Sequence, residues 1–198
     1  MKYYSGIGSR ESPAGILALM IEVGKFLAQK DYVLRSGGAD GADKAFEQGC
    51  DQAQGQKEIY LPWKGFNDNP SELYLKSKTL KGIKDKAFEL ASQYHPAWDQ
   101  LNYGARCLMA RNGMQVLGQD LNTPVEFIIC WNLGGFTHGG TSQALRIALD
   151  RKIPIFTLSK KECEEDVKAH LIRGLDLLKP LNQSLFEEKP CETPEAGA

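Results

Sequence analysis

The apolar residues of this chain occur partly in short continuous runs and partly in longer stretches with helical spacing. Short runs at residues 2–8, 32–36, 58–63, 125–131 and 153–158 predict strands. Between them, apolar positions recur every three or four residues, which predicts helices. Strands that alternate with helices predict an α/β fold, with a Rossmann-like parallel sheet covered by helices on both faces in a single domain.

The predicted helices are placed by their apolar stripes and end signals. Ser12 is the expected cap of the first helix, and Pro13 fits its first turn. The apolar stripe of that helix consists of Ile16, Leu17, Met20, Val23, Phe26 and Leu27. The other predicted helices are one that includes Ala45, Phe46 and Cys50 and three near residues 85–94, 101–117 and 141–150.

The domain organisation is predicted from changes of composition and periodicity along the chain. Residues 1–160 form the predicted Rossmann-like domain, interrupted by a lysine-rich insertion at about residues 64–95. Residues 161–186 are expected to be a C-terminal helical extension, because part of this segment has helical periodicity. Residues 187–198, rich in Glu and Pro, are expected to be a flexible tail.

Composition narrows the classes of function. The 198 residues carry a formal net charge of −1, which argues against a protein that coats nucleic acid with a broadly basic face. Because no apolar run approaches a membrane span and the N-terminus lacks the pattern of a signal peptide, a cytoplasmic protein without a membrane partner is expected. Five dispersed cysteines without CxxC spacing and three scattered histidines predict neither a metal site nor a cofactor.

Three predicted strands end in turns rich in glycine and small polar residues. These turns are GIGSR at residues 6–10, RSGGADGAD at residues 35–43, and the turn at residues 133–141 with Gly134, Gly135, Gly139 and Gly140. Glycine lets backbone N–H groups approach a ligand, and a helix N-terminus offers unpaired donors with partial positive charge. Because the C-terminal ends of parallel strands share one edge, the turns predict one phosphate-binding site.

Two common phosphate-binding fingerprints are missing from these turns. The first turn lacks the third glycine of the dinucleotide fingerprint, and no turn carries the P-loop lysine. The sequence therefore supports neither an ordinary Rossmann dehydrogenase nor a kinase.

Several segments together resemble the SLOG superfamily. They are GIGSRESP, RSGGADGADKAFEQG, IYLPWKGF, MARNGMQVLG and GGTSQALRIALDRKIPIFTL, and they cover most of residues 1–158. This group includes the LOG-type "lysine decarboxylase-like" proteins, the YpsA-like proteins and the Rossmann domain of DprA/Smf recombination mediators. The chain is most similar to the short DprA-like and YpsA-like branches. The resemblance implies a Rossmann-like fold that binds a nucleotide, a nucleotide-derived signal or single-stranded DNA.

The candidate ligand-binding residues lie mainly in the three turns. Ser9 and Arg10 could clamp a phosphate, or they could belong to a solvated turn beside a helix cap. Asp43 is expected either to bind a sugar hydroxyl or to serve the helix start. The whole predicted set is Gly8, Ser9, Arg10, Ser36, Gly37, Gly38, Asp43, Arg111, Asn112, Trp131, Gly139, Gly140 and Thr141.

Three of the candidate residues have open alternatives. In the LOG proteins, a similarly placed arginine contacts the substrate, and Arg111 matches it; the alternative is an exposed helix arginine. Trp131 at a strand end could stack on a base or pack in the core. His138 in the third turn could contact a phosphate or be solvated.

One departure from the family pattern bears on catalysis. LOG-type phosphoribohydrolases carry P-G-G-x-G-T-x-x-E, whose last residue is an essential carboxylate. Counting from Gly140 and Thr141, that position is Ala144, preceded by Gln143, and neither side chain can act as an acid or base. Carboxylates that could replace it from elsewhere are Asp40, Asp43 and Glu126. The sequence favours sensing or sequestering a ligand over hydrolysis, with Arg111 the catalytic candidate if the protein is a hydrolase.

The lysine-rich insertion suggests a second function. Phosphate contacts could come from Lys76, Lys78, Lys81, Lys84 and Lys86. With Tyr74 and Phe88 as stacking faces, they would suit a DprA-like mediator that binds single-stranded DNA. The alternative is a solvated helix face, because Glu72, Asp85 and Glu89 dilute the charge. A homo-oligomer is also expected, with the helix at residues 101–117 as a possible dimer face.

Overall fold

The fold is that of a computed structural model, which describes residues 1–132, 139–159 and 165. In this part of the chain, all strands of the 5-stranded sheet are parallel and pair in the order β3-β2-β1-β4-β5. The strands are β1 (Lys2–Gly8), β2 (Tyr32–Ser36), β3 (Lys57–Ile59), β4 (Phe127–Trp131) and β5 (Ile155–Thr157). The predicted α/β fold with a parallel, Rossmann-like sheet is confirmed.

Helices cover both faces of this sheet. They are α1 (Ala14–Gln29), α2 (Ala42–Gln52), α3 (Ile83–Tyr94), α4 (Tyr103–Leu117) and α5 (Gly139–Asp150). Helices α1 and α2 pack together on one face, and α4 and α5 lie on the other. Helix α3 packs against α4 and also contacts α5. The sheet is therefore the middle layer of three.

Alternate side chains of β4 enter two different cores. Ile129 and Trp131 pack with residues of α1 and α2, whereas Ile128 and Cys130 pack with residues of α4 and α5. Since successive side chains of a strand point to opposite faces, a strand covered on both faces reads as one continuous apolar run. Cys130 and Cys107 are buried and act as small hydrophobic residues, as predicted.

The predicted bounds of β1 and β2 agree with the structure, while the last three strands are shorter than predicted. Strand β3 ends at Ile59 because the chain turns away there, and Leu61 forms an isolated bridge with Tyr74. The apolar run extends past the strand because Tyr60 and Leu61 are buried in the cores that the following segment builds.

The predicted cap of α1 is wrong. Ser12 does not accept a hydrogen bond from the helix; its hydroxyl donates to the backbone oxygen of Ser9 at 2.9 Å and closes the turn after β1. Pro13 takes the N-cap position, without a side-chain cap. The serine is therefore used to shape a turn that leads into the candidate site.

The lysine-rich insertion has its own small core. A short 3-10 helix at Phe66–Asp68 precedes α3. The third hydrophobic cluster combines residues of this insertion and of α4, among them Leu75, Leu80, Ile83, Ala87 and Met114. This packing covers apolar residues of α4 within the chain, and the dimer face suggested on that helix stays a prediction, as does homo-oligomerisation itself.

Some predictions lie outside the described residues. They concern Gly134, Gly135 and His138 in the third turn, the C-terminal extension at residues 161–186 and the tail at residues 187–198. Within the described ranges, no helix is long and apolar enough to cross a membrane.

An ion pair between the buried Arg35 and the half-buried Glu58 joins β2 and β3 to the loop before β4. The Arg35 Nε donates to Glu58 Oε2 at 2.7 Å, and its Nη1 donates to the backbone oxygen of Thr123 at 2.6 Å. The Tyr60 hydroxyl donates to the same Glu58 oxygen at 2.6 Å, and the Tyr3 ring centre lies 3.8 Å from the guanidinium carbon. Because Arg35 is only 2% exposed, its charge depends on Glu58 for compensation.

Removal of one partner from this pair should destabilise the fold. We expect Glu58→Ala to lower the free energy of unfolding by about 3 kcal/mol, since it leaves the Arg35 charge buried and uncompensated. Urea denaturation followed by circular dichroism measures the loss. The control is Asp40→Ala, which breaks an exposed pair with Lys44 and should change stability little. Equal losses in both variants would contradict the assignment.

Candidate ligand-binding site

A cavity of about 490 Å³ lies at the C-terminal edge of the sheet. The turns after β1 and β2, the start of α5 and one face of α4 line it. The chain leaves β1 first toward β2 and β3 and later returns to place β4 on the other side of β1. The cavity thus lies at the point where strand order reverses, which is where open α/β sheets bind ligands.

Most of the predicted ligand-binding residues line this cavity. They are Gly8, Ser9, Arg10, Asp43, Arg111, Asn112, Gly139, Gly140 and Thr141. Their chain positions span the first turn, the second turn, α4 and α5, so the structure brings together the segments that the sequence predicted to converge. Ser36, Gly37, Gly38 and Trp131 are not part of the lining.

These four residues have other positions. The Ser36 hydroxyl donates to the backbone oxygen of Gly6 at 2.7 Å and is fully buried between the strands. Trp131 is 7% exposed and packs in the core on the α1 and α2 side, because its position along β4 points it to that face. Gly38 accepts a hydrogen bond from Asn67 Nδ2 at 3.2 Å. Gly37 lies behind the cavity, against Arg111.

Backbone hydrogen bonds join the first turn to β4 and to the second turn. The Ser9 N–H donates to the oxygen of Trp131 in β4 at 3.0 Å, and the Ala42 N–H donates to the Ser9 oxygen at 3.3 Å. Gly41 has φ +78°, and a Cβ there would lie 2.6 Å from the Arg10 oxygen. A glycine is therefore needed for the second turn to pack on the first.

Asp43 and Arg111 form a buried ion pair beside the cavity. The Arg111 Nη1 donates to Asp43 Oδ2 at 3.4 Å, and the two residues are 5% and 3% exposed. The carboxylate also interacts with the backbone N–H groups of Ala39, Gly8 and Gly37. Asp43, in the first turn of α2, therefore joins both turns to α4. Its carboxylate already has hydrogen-bond donors from within the protein.

The pair is held at an electrostatic cost. Burial raises the pKa of the Asp43 carboxyl and lowers the pKa of the Arg111 guanidinium, although the attraction between the two groups opposes both shifts. Two such groups are retained in low dielectric only where their mutual contact and further hydrogen bonds compensate each charge. Arg111 is thus a fixed, buried part of the site, and its reading as an exposed helix arginine is wrong.

The positions of Arg111 and Asn112 depend on their neighbours. A Cβ at Gly37 would lie 1.6 Å from Arg111 Nη1, so the guanidinium occupies space that only glycine leaves free. The Asn112 Nδ2 donates to the Gly140 oxygen at 3.0 Å and fixes the start of α5 against α4.

Several lining residues are not in the set predicted from the sequence. They include Glu11, Ala39, Met109, Gln115 and Asn132. Gln115 follows Arg111 by four positions, so the two share one face of α4, and this spacing was the available signal. Asn132 Nδ2 donates to the Ser142 hydroxyl at 3.0 Å. No sequence signal identifies Asn132, since its role depends on where α5 begins.

The acid–base groups at the cavity are few. Ala144 lines the cavity at 1% exposure, so the position of the LOG carboxylate presents a methyl group. Among the proposed substitutes, Asp43 lines the cavity but is paired, whereas Asp40 pairs with Lys44 outside the lining. Glu126 immediately precedes β4 and lies at the opposite edge of the sheet. Within the described ranges, no cluster of His, Cys, Asp or Glu could hold a metal ion.

Comparisons with known proteins concern the fold. The chain matches no family model, and no curated protein matches it in sequence. It is similar to the molybdenum cofactor carrier protein from Chlamydomonas reinhardtii, with 16% identity over 85% of this chain and 84% of that chain and a TM-score of 0.49. It is also similar to DNA processing protein A (DprA) from Streptococcus pneumoniae, with 19% identity over 95% of this chain and 62% of that chain and a TM-score of 0.48.

The contact between Gly37 and Arg111 can be tested by a double-mutant cycle. We expect Gly37→Ala to lower the free energy of unfolding by about 1–3 kcal/mol, because the new methyl group overlaps the guanidinium. In an Arg111→Ala background, the same change should cost much less. Chemical denaturation of the four proteins measures the difference.

The control for this cycle is Gly15→Ala in the first turn of α1, where a Cβ meets no atom of the described residues within 4 Å. We expect no loss of stability there, since alanine favours a helix more than glycine does. If Gly37→Ala cost the same with and without the Arg111 side chain, the close contact would be contradicted.

Proposed function

We propose that the protein binds a nucleotide or a nucleotide-derived ligand in this cavity and senses or sequesters it without hydrolysis. The proposal rests on one observation: the N-terminus of α5, Ser9, Arg10 and the buried Arg111 all line the same cavity. The volume of about 490 Å³ is within the usual range for small-molecule sites.

The phosphate is expected at the rim formed by Ser9, Arg10 and residues 139–141, the first residues of α5. The first N–H groups of a helix have no intrahelical partner and carry partial positive charge, so they attract an anion. Among the described residues, nothing lies within 4 Å of the place where a Gly139 side chain would begin. Arg10 is exposed and can move its guanidinium onto a phosphate.

The chemistry of the lining favours binding over hydrolysis. A general acid or base contributes about 10²–10⁴-fold to a rate, and the position where the LOG proteins place theirs is Ala144. The Asp43 carboxylate already accepts hydrogen bonds from Arg111 and from the turns. Glu11 also lines the cavity, but it is an exposed side chain of the first turn.

Isothermal titration calorimetry tests the proposal on nucleoside phosphates, ADP-ribose and cyclic nucleotides. We expect at least one to bind, and Arg10→Ala to weaken that binding by about tenfold, since a charge-assisted contact to phosphate is lost. Lys44→Ala, which removes an exposed cation outside the lining, should leave affinity unchanged. Absence of binding across the panel would reject the function.

Hydrolysis is tested separately with AMP. The wild-type protein should release no more free base than an Arg111→Ala variant, as measured by chromatography. Release that depends on Arg111 would favour the phosphoribohydrolase instead.

A different surface supports a second candidate function, DprA-like binding of single-stranded DNA. Tyr103 is 52% exposed, and the Nζ atoms of Lys76 and Lys84 lie 5.4 and 5.5 Å from its ring centre. An exposed ring beside cations can stack on a base while the cations contact phosphates. Of the aromatic residues predicted for stacking, Tyr74 and Phe88 are both half-buried, so Tyr103 is the better platform.

Filter binding with a labelled thymidine oligonucleotide over a salt series tests this second function. We expect Tyr103→Ala to weaken binding by about tenfold, because one base loses its stacking partner. Trp63→Ala is the matched control, since Trp63 is an exposed aromatic residue outside this surface. No affinity even at low salt would reject DNA binding.

A further inference from the structure

The floor of the cavity contains two donors without acceptors. Arg111 and Gln115 lie one turn apart on α4, line the cavity and are 5% and 2% exposed. The Arg111 Nε and the Gln115 Nε2 are both buried and have no hydrogen-bond partner in the described part of the chain. A buried donor without an acceptor is costly, so two at one cavity indicate where a ligand supplies acceptors.

The two side chains lie next to each other against the second turn. A Cβ on Gly37 would lie 1.6 Å from Arg111 Nη1, the atom that donates to Asp43, and 2.6 Å from Gln115 Nε2. Neither side chain supplies an acceptor to the other, so the Arg111 Nε and the Gln115 Nε2 both need one from elsewhere. We name Arg111 and Gln115 together the donor floor.

The charge of the donor floor limits what it can receive. The Asp43 carboxylate lies 3.4 Å from Arg111 and offsets its positive charge, and Gln115 is neutral. A phosphate on this floor would be a buried negative charge with little net compensation, whereas an uncharged acceptor would not. The phosphate therefore belongs at the rim and the uncharged end of the ligand at the floor.

We propose that the donor floor binds the N7 and O6 edge of a 6-oxopurine, and that Gln115 determines specificity for this class of base. The inference rests on the proposed function, because the phosphate of the same nucleotide is placed at the rim. Guanine presents two adjacent acceptors on this edge, and hypoxanthine shares both. Adenine keeps N7 but carries an amino group at position 6, which would place a donor against a donor.

Calorimetry with inosine 5′-monophosphate and AMP tests the inference, because on the edge formed by N7 and position 6 the two bases differ only at position 6; their other difference, the proton on N1, lies off this edge. We expect the wild-type protein to bind inosine monophosphate at least about tenfold more tightly, since AMP leaves one buried donor unmatched. Ribose 5-phosphate serves as a third probe that reaches only the rim.

Two variants separate recognition from a structural effect. Gln115→Met keeps the length of the side chain and its helix propensity but removes the amide, and should bring the two affinities within about threefold. Gln115→Glu replaces the donor with an acceptor and should remove or reverse the preference for inosine monophosphate. Ribose 5-phosphate should bind both variants as it binds the wild type, and circular dichroism reports their folding.

The outcomes distinguish the two proposals. If inosine monophosphate, AMP and ribose 5-phosphate all fail to bind, and the wider panel fails as well, the proposed function falls and this inference with it. If ribose 5-phosphate and AMP bind while inosine monophosphate is not preferred, the inference alone is overturned. The same holds if Gln115→Met weakens all three probes equally, as expected if Gln115 only supports the fold or turns its oxygen toward Arg111.

Discussion

The Asp43 carboxylate is the interaction on which the candidate site depends. Asp43 lies in the first turn of α2. Its carboxylate pairs with Arg111 of α4 and interacts with backbone N–H groups of both the first and the second turn. These segments are far apart in sequence, and each would otherwise leave polar groups buried without partners. A buried ion pair contributes little net stability, because desolvation of both charges offsets their attraction. Its effect is to define which arrangement of turns and helix is possible.

Close backbone packing follows from that arrangement. Since Arg111 reaches Asp43 across the second turn, the guanidinium passes where a side chain of residue 37 would begin, and only glycine fits. The second turn must also lie against the first, which needs the positive φ of Gly41. Two glycines that the sequence suggested as ligand contacts or turn formers thus act through packing. The donors that remain unpaired, on Arg111 and Gln115, belong to residues that line the cavity, and buried polar groups without partners are often found at functional sites.

The sequence predicts the fold well because period and alternation are local signals. The runs at residues 2–8 and 32–36 match β1 and β2 in full, and the convergence of the turns follows from the parallel sheet alone. The local sequence does not show to which face of the sheet a side chain at the end of a strand points. Trp131 and Cys130 are both apolar and adjacent, and only the packing of helices on each face decides that Trp131 enters a core. Gln115 was missed because its role depends on the approach of Gly37, more than seventy positions earlier in the chain.

The balance of charge around the cavity explains why a methyl group at position 144 suits the binding of an anion. Among the described residues, the lining contains two cations, Arg10 and Arg111, and two carboxylates, Glu11 and Asp43, of which Arg111 and Asp43 offset each other. The attraction for an anion therefore depends on Arg10 and on the dipole of α5, each a modest and partly solvated contribution. A carboxylate at position 144, next to the first turn of that helix, would oppose both. Such a charge is tolerated where it performs catalysis on a bound ligand, and without that task it only weakens binding. A buried methyl group at this position is consistent with a site whose remaining electrostatics serve to hold an anion.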